Sequence, residues 1–253
     1  MGKKNSYENF IKAKLKPNIT FKFFYDQDGQ TIVKRRFIDP AFFTKMFEIY
    51  YFDDKHLPKD VSQKMSNYLT NILPQYDLAI VNDYGHGFFD KNTIATLTEK
   101  AKFLAVNTQT NSANFGFNLI TKYPRADFVC IDEPEARLAV HQNEGDISEV
   151  INQIFNTIKV NKLVVTRGHL GSVAAESADK IYNIPVLSTK VVDRVGAGDA
   201  FLAISSPCAA SRAPIEMVGF IGNVVGAIKI TIVGNKSSVE PNQVYRFIQT
   251  LFK

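Results

Sequence analysis

The segment from Val192 to Phe201 constrains this chain more than any other stretch of its sequence. It consists of an apolar run, a glycine-rich turn and the start of a helix. Gly196 and Gly198 flank Ala197, so backbone N–H groups can converge just before the helix. Converging N–H groups and the positive end of the helix dipole together form a site for an anion. The segment therefore predicts an anion-binding turn.

Asp199 follows Gly198 directly and lies inside this predicted positive pocket. A carboxylate there either caps the helix or acts as a base toward whatever the anion site holds. Phosphoryl transfer needs such a pairing, because donors must contact the transferring group while a carboxylate orients and deprotonates the attacking hydroxyl. The residues alone leave both interpretations open, since short glycine motifs also occur without this chemistry.

Composition and charge narrow the function classes. The chain has 253 residues, 45% hydrophobic and 22% charged, as in a globular protein with one large domain or two small ones. The net charge of +5 is mild and the basic residues are spread out, which favours small anions over nucleic acid as partners. No apolar run suits a membrane span and no signal peptide is recognisable, so we expect a cytoplasmic protein with Cys130 and Cys208 as buried, reduced thiols.

Residues 1–56 are rich in aromatic side chains and alternate as strands do, which predicts a small β lid. Residues 20–24 and 31–37 flank Asp28-Gly29, which indicates a hairpin, and residues 47–52 are a further strand candidate. Several phenylalanines of this region are expected to offer exposed apolar surface. They are Phe21, Phe23, Phe24, Phe37, Phe42, Phe43 and Phe47.

Residues 57–253 alternate between predicted helices and short apolar strands, which favours a parallel sheet covered on both faces. The strands are expected at 78–81, 103–106, 127–131 and 163–166. The helices between them are expected at 59–73, 90–99, 133–141 and 146–158. The C-terminal third is predicted to form helices at 199–211, 214–232 and 241–252, with Pro214 and Pro241 at first helical positions.

The string Asp193-Arg194-Val195-Gly196-Ala197-Gly198-Asp199-Ala200-Phe201 resembles the DxxGAGDxF signature of the ribokinase-like (PfkB) sugar kinases. The resemblance implies an α/β ribokinase-like three-layer sandwich with a mainly parallel central sheet. It also implies phosphorylation of a sugar or sugar-phosphate hydroxyl, with ATP and Mg²⁺. In that family the second Asp is the base and the glycine-turn amides form the anion hole. These roles would fall to Asp199 and to Gly196, Ala197 and Gly198.

Two further segments resemble the nucleotide side of these kinases. Thr166, Gly168 and Gly171 match a T-x-G-x-x-G segment, which implies contacts with the ATP phosphates or ribose. Taken alone, the segment also fits a plain hairpin turn. Asn223 and Ala227 lie on a helix that backs the adenine ring in the family, although small residues there also serve close helix packing.

The metal assignment rests on Asp132 and Glu135, which resemble the N-x-x-E motif of the family. The Glu of that motif helps to hold the water shell of Mg²⁺. Asp in place of Asn departs from the pattern but keeps an oxygen acceptor. Acidic residues in a first helical turn also complement the helix dipole, and that simpler reading stays open.

On the sugar side, residues 83–87 resemble the D-Y-G-K-G of heptose-phosphate kinases found fused to cytidylyltransferase domains, with His86 in place of Lys. The resemblance makes Asp83 a candidate for orienting sugar or phosphate, and a polar turn is the alternative. Asn107 follows the next strand and suits phosphate or hydroxyl contacts, or capping of a turn. Lys34 and Arg36 share a strand face, either solvated or reaching a sugar phosphate.

One departure from the family concerns its first strand and Gly-Gly motif, which contact the sugar, since no Gly-Gly occurs here. We therefore expect an N-terminally incomplete fold: a fragment, one half of a split protein or an inactive kinase. Expected partners are a sugar or sugar phosphate, and either a second copy or a cytidylyltransferase or N-terminal kinase segment, with no nucleic acid or membrane. The competing hypothesis is a non-catalytic nucleotide-binding or assembly module.

Overall fold

The computed structural model describes residues 1–2, 7–39, 41, 45–52, 55–111, 114–188, 190–234 and 236–253. These residues form a six-stranded sheet, a separate two-stranded sheet and eight α-helices. The N-terminal region contains α1 (Glu8–Lys14), β1 (Val33–Ile38) and β2 (Lys45–Tyr51), and β1 and β2 make up the small sheet.

The larger sheet has its strands in chain order. They are β3 (Ala79–Asp83), β4 (Leu104–Thr108), β5 (Arg125–Asp132), β6 (Lys159–Thr166), β7 (Ser172–Ser177) and β8 (Lys180–Ile184). β3 to β6 are parallel, and β6, β7 and β8 are antiparallel neighbours. Parallel strands end at the same edge, so the residues after β3, β4, β5 and β6 meet at one edge.

Helices cover both faces of this sheet. They are α2 (Lys59–Ile72), α3 (Lys91–Lys100), α4 (Glu133–Ala139), α5 (Ile147–Thr157), α6 (Ala197–Ala210), α7 (Ile215–Lys229) and α8 (Pro241–Leu251). Alternate strand residues serve opposite layers: Val106 packs in the core that includes Ile151 of α5, and Ala105 packs in the core that includes Phe201 and Val218. The result is the predicted three-layer arrangement.

The predicted hairpin across Asp28-Gly29 is wrong. β1 pairs antiparallel with β2, while residues 20–24, which the structure describes, form no strand. Cross-strand contacts explain this pairing, because the rings of Phe37 and Phe47 stack with centroids 4.4 Å apart and Arg36 forms an ion pair with Glu48. Asp28 instead donates its backbone N–H to the Asp26 side chain in a local bend.

The aromatic side chains of this region divide into two groups. Phe21, Phe37 and Phe47 are exposed, as expected, whereas Phe23 and Phe24 are half-buried. Phe24 contacts Tyr68 of α2 edge-on, with ring centroids 5.8 Å apart. Phe42 and Phe43 lie outside the described residues.

Most predicted helices and strands of residues 57–253 are confirmed with small changes of boundary. β7 and β8 were not predicted, and Pro214 caps α7 rather than standing at its first position. Cys130 is buried, but Cys208 is only partly so. Within the described ranges, no helix has the length and apolar character needed to cross a membrane.

Candidate active site

The glycine turn begins α6. Gly196 precedes the helix with φ of 76°, a left-handed conformation that glycine adopts without strain, and no side chain caps the helix. Asp193 fixes the turn, because its carboxylate accepts hydrogen bonds from the N–H of Val195 at 2.9 Å and of Gly234 at 2.6 Å. The turn is therefore held in place. The N–H of Ala197 donates to the Arg194 carbonyl at 3.3 Å, and the other first N–H groups of a helix lack intrahelical partners and suit an anion.

Asp199 lies in this first turn of α6, where its carboxylate meets the end of β3. The Tyr84 hydroxyl donates to Oδ1 of Asp199 at 3.1 Å. Partial burial and the nearby Asp199 carboxylate raise the pKa of Tyr84 to about 12. The phenol therefore stays neutral and keeps its proton for this hydrogen bond at physiological pH.

Lys34 of the lid is the third member of this group. Its ammonium lies 5.7 Å from the centre of the Tyr84 ring and 4.8 Å from that of Tyr50. Lys34 and Arg36 share a face of β1, as predicted, but Arg36 forms an ion pair with Glu48 and Lys34 extends toward Tyr84. β1 thus brings Lys34 close to the predicted base, while Arg36 is engaged by Glu48.

Asp83 faces inward, and only 2% of its surface is exposed. Its carboxylate accepts hydrogen bonds from the Tyr123 hydroxyl at 2.7 Å and the Gly85 N–H at 3.0 Å, and forms an ion pair with Lys122. A Cβ at Gly85 would lie 2.1 Å from an Asn114 nitrogen, so the loop after β3 is closely packed. Asp83 therefore holds the segment that carries Tyr84.

Asp132 and Glu135 form a capping box at the start of α4. Glu135 accepts hydrogen bonds from the N–H groups of Thr110 and Asp132, both at 2.9 Å, and Asp132 accepts one from the Glu135 N–H. Burial, together with the charge of Asp132, raises the pKa of Glu135 to about 7. Both carboxylates line a cavity of about 210 Å³ with Asn107 and Asp199.

These carboxylates are suited to a hydrated metal ion rather than to direct coordination. Each oxygen of Glu135 already accepts one backbone N–H group, which leaves each with less capacity to bind a metal directly. Across the residues that the structure describes, no cluster of three or more His, Cys, Asp or Glu could hold a metal. Water bound to a metal that accompanies phosphates could still reach Asp132 and Glu135.

A second cavity, of about 330 Å³, lies against α7. It contains every residue predicted for the nucleotide: Thr166, Gly168, Gly171, Asn223 and Ala227. Apolar side chains complete its walls: Val186, Leu187, Val191, Phe201 and Ile230. The side-chain amide of Asn223 donates to the carbonyls of residues 184 and 185, so this residue shapes the wall. An apolar slot beside an anion-binding turn suits a flat heterocycle that carries phosphates.

A larger cleft of about 930 Å³ opens on the other side of Gly198. Two of its arginines are paired, because Arg137 and Arg167 both donate to the Glu133 carboxylate, at 2.7 and 2.8 Å. Arg194 lines this cleft and the smaller cavity alike. It makes no ion pair or side-chain hydrogen bond with the described part of the chain.

The predicted base, anion turn, nucleotide residues, Asn107 and acidic pair line three cavities that share Thr166 and Gly198, and Lys34 lies beside Tyr84. Sequence reasoning missed Tyr84, Arg194 and the buried Lys229. Tyr84 follows Asp83 in the motif already singled out, and Lys229 is a lone cation in an otherwise apolar part of a helix. The sequence around Tyr84 and Lys229 did not indicate which residues they contact.

Comparison with known proteins decides the family. The sequence pattern of the pfkB family carbohydrate kinases matches residues 89–242, which is more than half of the chain. The chain belongs to the PfkB family of carbohydrate kinases. Two curated relatives are 2-dehydro-3-deoxygalactonokinase of Haloferax volcanii, 29% identical over 127 residues, and the bifunctional protein HldE of Campylobacter fetus, 25% identical over 182 residues.

These matches cover 50% and 69% of this PfkB chain but only 39% and 38% of the relatives, so the chain spans less than half of either. Among solved structures, the Thermotoga maritima ribokinase matches with a TM-score of 0.73 and 17% identity, over 98% of this chain and 79% of the ribokinase. Escherichia coli phosphofructokinase-2 in complex with potassium matches with a TM-score of 0.67 and 13% identity, over 82% of this chain and 67% of the phosphofructokinase. The ribokinase-like fold with a mainly parallel sheet is confirmed.

Proposed function

We propose that this PfkB protein transfers the γ-phosphoryl group of ATP to a hydroxyl of a sugar or sugar phosphate, with Asp199 as the base. The observation that carries the proposal is the position of Gly198 and Asp199 in a single helical turn. Gly198 lines the apolar slot and the larger cleft, while Asp199 lines the cleft and the cavity of about 210 Å³ but not the slot. A nucleotide in the slot and a sugar in the cleft would meet at this turn.

The nucleotide assignment follows from the chemistry of the slot. Adenine would lie between the apolar side chains near Phe201 and Ile230, with its phosphates directed toward the first amides of α6. Arg194 stands where the slot opens into the cleft, and its guanidinium suits phosphate oxygens. Thr166 and Gly168 border both spaces and would contact the phosphates.

Magnesium is proposed as the ion that accompanies the phosphates. It supplies charge neutralisation on the transferring group when bound. Asp132 and Glu135 would face it through water, because the oxygens of Glu135 are already engaged by backbone N–H groups. Asp199 orients the acceptor hydroxyl and removes its proton.

The sugar is proposed to be anionic. Lys34 brings an ammonium over the ring of Tyr84, whose hydroxyl contacts Asp199. Arg36 lies on the same face of β1 in an ion pair with Glu48. Asn107 lines the cavity of about 210 Å³ beside Asp199 and would contact a hydroxyl. We assign Asp83 to support of the Tyr84 loop rather than to sugar contact, because its carboxylate is buried on Tyr123 and Lys122.

The test is phosphoryl transfer from ATP to a panel of heptose phosphates, 2-keto-3-deoxy sugar acids and simple hexoses. Asp199→Asn should lower turnover by about 10²- to 10⁴-fold and leave nucleotide affinity nearly unchanged, because the amide keeps the size but cannot take a proton. Asp193→Asn should have a milder effect on turnover, since that residue fixes the turn through two N–H groups.

Turnover by Asp199→Asn at the wild-type rate would remove the base assignment. If no variant and no wild-type sample transfers phosphate to any member of the panel, yet calorimetry shows nucleotide binding, the non-catalytic module is the better description. If millimolar nucleotide does not bind to the wild type, the nucleotide site itself is refuted.

A further inference from the structure

Lys229, the last residue of α7, is a buried cation whose role the proposed reaction does not explain. Only 6% of its surface is exposed. Its ammonium donates to the carbonyl of Val195 at 2.9 Å and to the carbonyl of Gly234 at 2.6 Å. It forms no ion pair with any carboxylate of the described ranges. A buried ammonium without a carboxylate is costly, so its two carbonyl contacts must matter for the fold or for the site.

The two carbonyls belong to the two loops that frame the anion turn. Val195 directly precedes Gly196, and Gly234 lies in the loop after α7. The N–H of the same Gly234 donates to Asp193, so one acidic and one basic side chain tie together the same pair of loops. The N–H groups of residues 192 and 193 add a further link to the Ile230 carbonyl. The backbone before the turn is therefore held from several sides.

The charge of Lys229 distinguishes it from an apolar residue of similar size. A leucine or methionine could fill the end of α7 without desolvating an ion, and it would leave both carbonyls without a donor. The ammonium satisfies them and places a positive charge next to the residue that precedes the amides of Gly196 to Gly198. In a poorly solvated position such a charge acts over several ångströms on an anion.

We propose that Lys229 is a positioning residue that holds the amides of Gly196 to Gly198 in their anion-binding conformation and adds positive charge behind them. The inference rests on the proposed function, because that function puts nucleotide phosphates at this turn. It predicts that Lys229 matters for the phosphates of a ligand and not for its adenosine part, which lies in the apolar slot.

The experiment compares Mg²⁺–ADP with adenosine by calorimetric titration of the full chain. Lys229→Met keeps the apolar stem but removes the charge and the donors, so ADP affinity should fall about 10-fold or more. Adenosine affinity should change less than about twofold. Lys229→Arg keeps the charge and should retain more ADP affinity than Lys229→Met.

The matched control is Lys162→Met. Lys162 also donates to a carbonyl, that of Ala213, but this contact lies at the opposite end of α7 from the glycine turn. Its loss should leave the ratio of ADP to adenosine affinity unchanged. If Lys229→Met weakens both ligands equally, or neither, the proposal is overturned, because a purely structural role would not select for phosphate.

Hydrogen exchange separates failure of this inference from failure of the proposed function. In the absence of ligand, Lys229→Met should speed exchange in peptides that cover 192–199 and 228–234, and Lys162→Met should not. If the wild type binds no ADP, the proposed function fails. Hydrogen exchange then still tests whether Lys229 holds the two loops together. Unchanged exchange in both peptides would refute the positioning role of Lys229, whether or not ADP binds.

Discussion

The hydroxyl of Tyr84 lies 3.1 Å from Oδ1 of Asp199, which joins the loop after β3 to the first turn of α6. It is the only side-chain hydrogen bond to this carboxylate within the residues that the structure describes. One carboxylate oxygen is thereby anchored, and on the proposed function the other is left for an acceptor hydroxyl. This contact suggests the first prediction.

Tyr84→Phe should lower kcat about 10-fold while the KM for ATP stays within about twofold, because the proposed base loses its orienting hydrogen bond and the apolar slot is untouched. Steady-state kinetics with the sugar found in the acceptor panel provides the measurement. Tyr76→Phe removes the same hydroxyl from an exposed tyrosine elsewhere and should change neither constant. An unaltered kcat in Tyr84→Phe would show that Asp199 needs no such support.

The second prediction concerns Gly198, where a Cβ would meet nothing within 4 Å. Gly198→Ala should stabilise the fold by about 0.4–1 kcal/mol, because alanine restricts the unfolded chain and the helical backbone at this position accommodates it. It should also weaken ADP binding, since the methyl group enters the space proposed for the phosphates. Thermal melts should therefore show a higher Tm than for the wild type, and calorimetry on the same sample should show a lower ADP affinity.

Gly222→Ala is the matched control for this substitution. A Cβ at Gly222 would lie 2.2 Å from the ring of Phe201, so overpacking should lower stability by about 1–3 kcal/mol. The opposite effects of the two substitutions on stability would distinguish the open space at Gly198 from the packed core at Gly222. Normal ADP affinity in Gly198→Ala would contradict the proposed phosphate position.

The third prediction concerns Arg194, which borders both cavities without an acidic partner among the described residues. Arg194→Gln should weaken ATP binding about 3- to 10-fold, with a smaller effect at high salt, because an exposed guanidinium is screened. Titrations at two ionic strengths provide the check. Arg246→Gln, on α8, serves as the control for loss of one positive charge, and equal effects of the two variants would argue against a phosphate contact.

The fourth prediction concerns stability and pH. Asp90 caps α3 by accepting the Thr93 N–H at 2.8 Å, and it also accepts the Ser62 hydroxyl of α2. Partial burial raises the pKa of Asp90, but the hydrogen bonds from Ser62 and Thr93 outweigh it, so the net pKa lies below its ordinary value of 3.8. The stability from this carboxylate is therefore present above about pH 3.8 and lost as the pH falls through the folded-state value.

Asp90→Ala should cost about 1 kcal/mol of unfolding free energy at pH 7, and the difference from wild type should shrink as the pH falls below about 4. Urea titrations at several pH values measure this. Asp77→Ala, which removes an almost fully exposed carboxylate, should cost less than about 0.5 kcal/mol at any pH. A difference for Asp90→Ala that grows in acid would contradict the assignment.

Local patterns made the core of the fold predictable from the sequence, and they also identified the candidate site. The glycine turn, the base candidate and the alternation of helices with apolar strands each depend on residues close together in the chain. The pairing of β1 with β2 was not predictable in this way, because the Asp28-Gly29 turn signal competed with the stacking of Phe37 on Phe47.

Contacts between distant residues account for the rest. Tyr84 and Asp199 are 115 positions apart, and Lys229 and Val195 are 34 apart. No periodicity or short motif records such pairs. Asp83 shows the opposite case: its motif identified an important carboxylate, but only the structure shows that it faces Tyr123 and Lys122.

Thr166, Gly168, Arg194 and Gly198 belong to both the apolar slot and the larger cleft. On the proposed function, a phosphoryl group that has just been transferred still lies against the wall that the next ATP needs for its own γ-phosphate. The phosphorylated sugar and a fresh ATP would then exclude each other, although they enter from different sides. The rate of turnover would then be limited by release of the phosphorylated sugar. Accumulated product would inhibit the enzyme by competing with ATP.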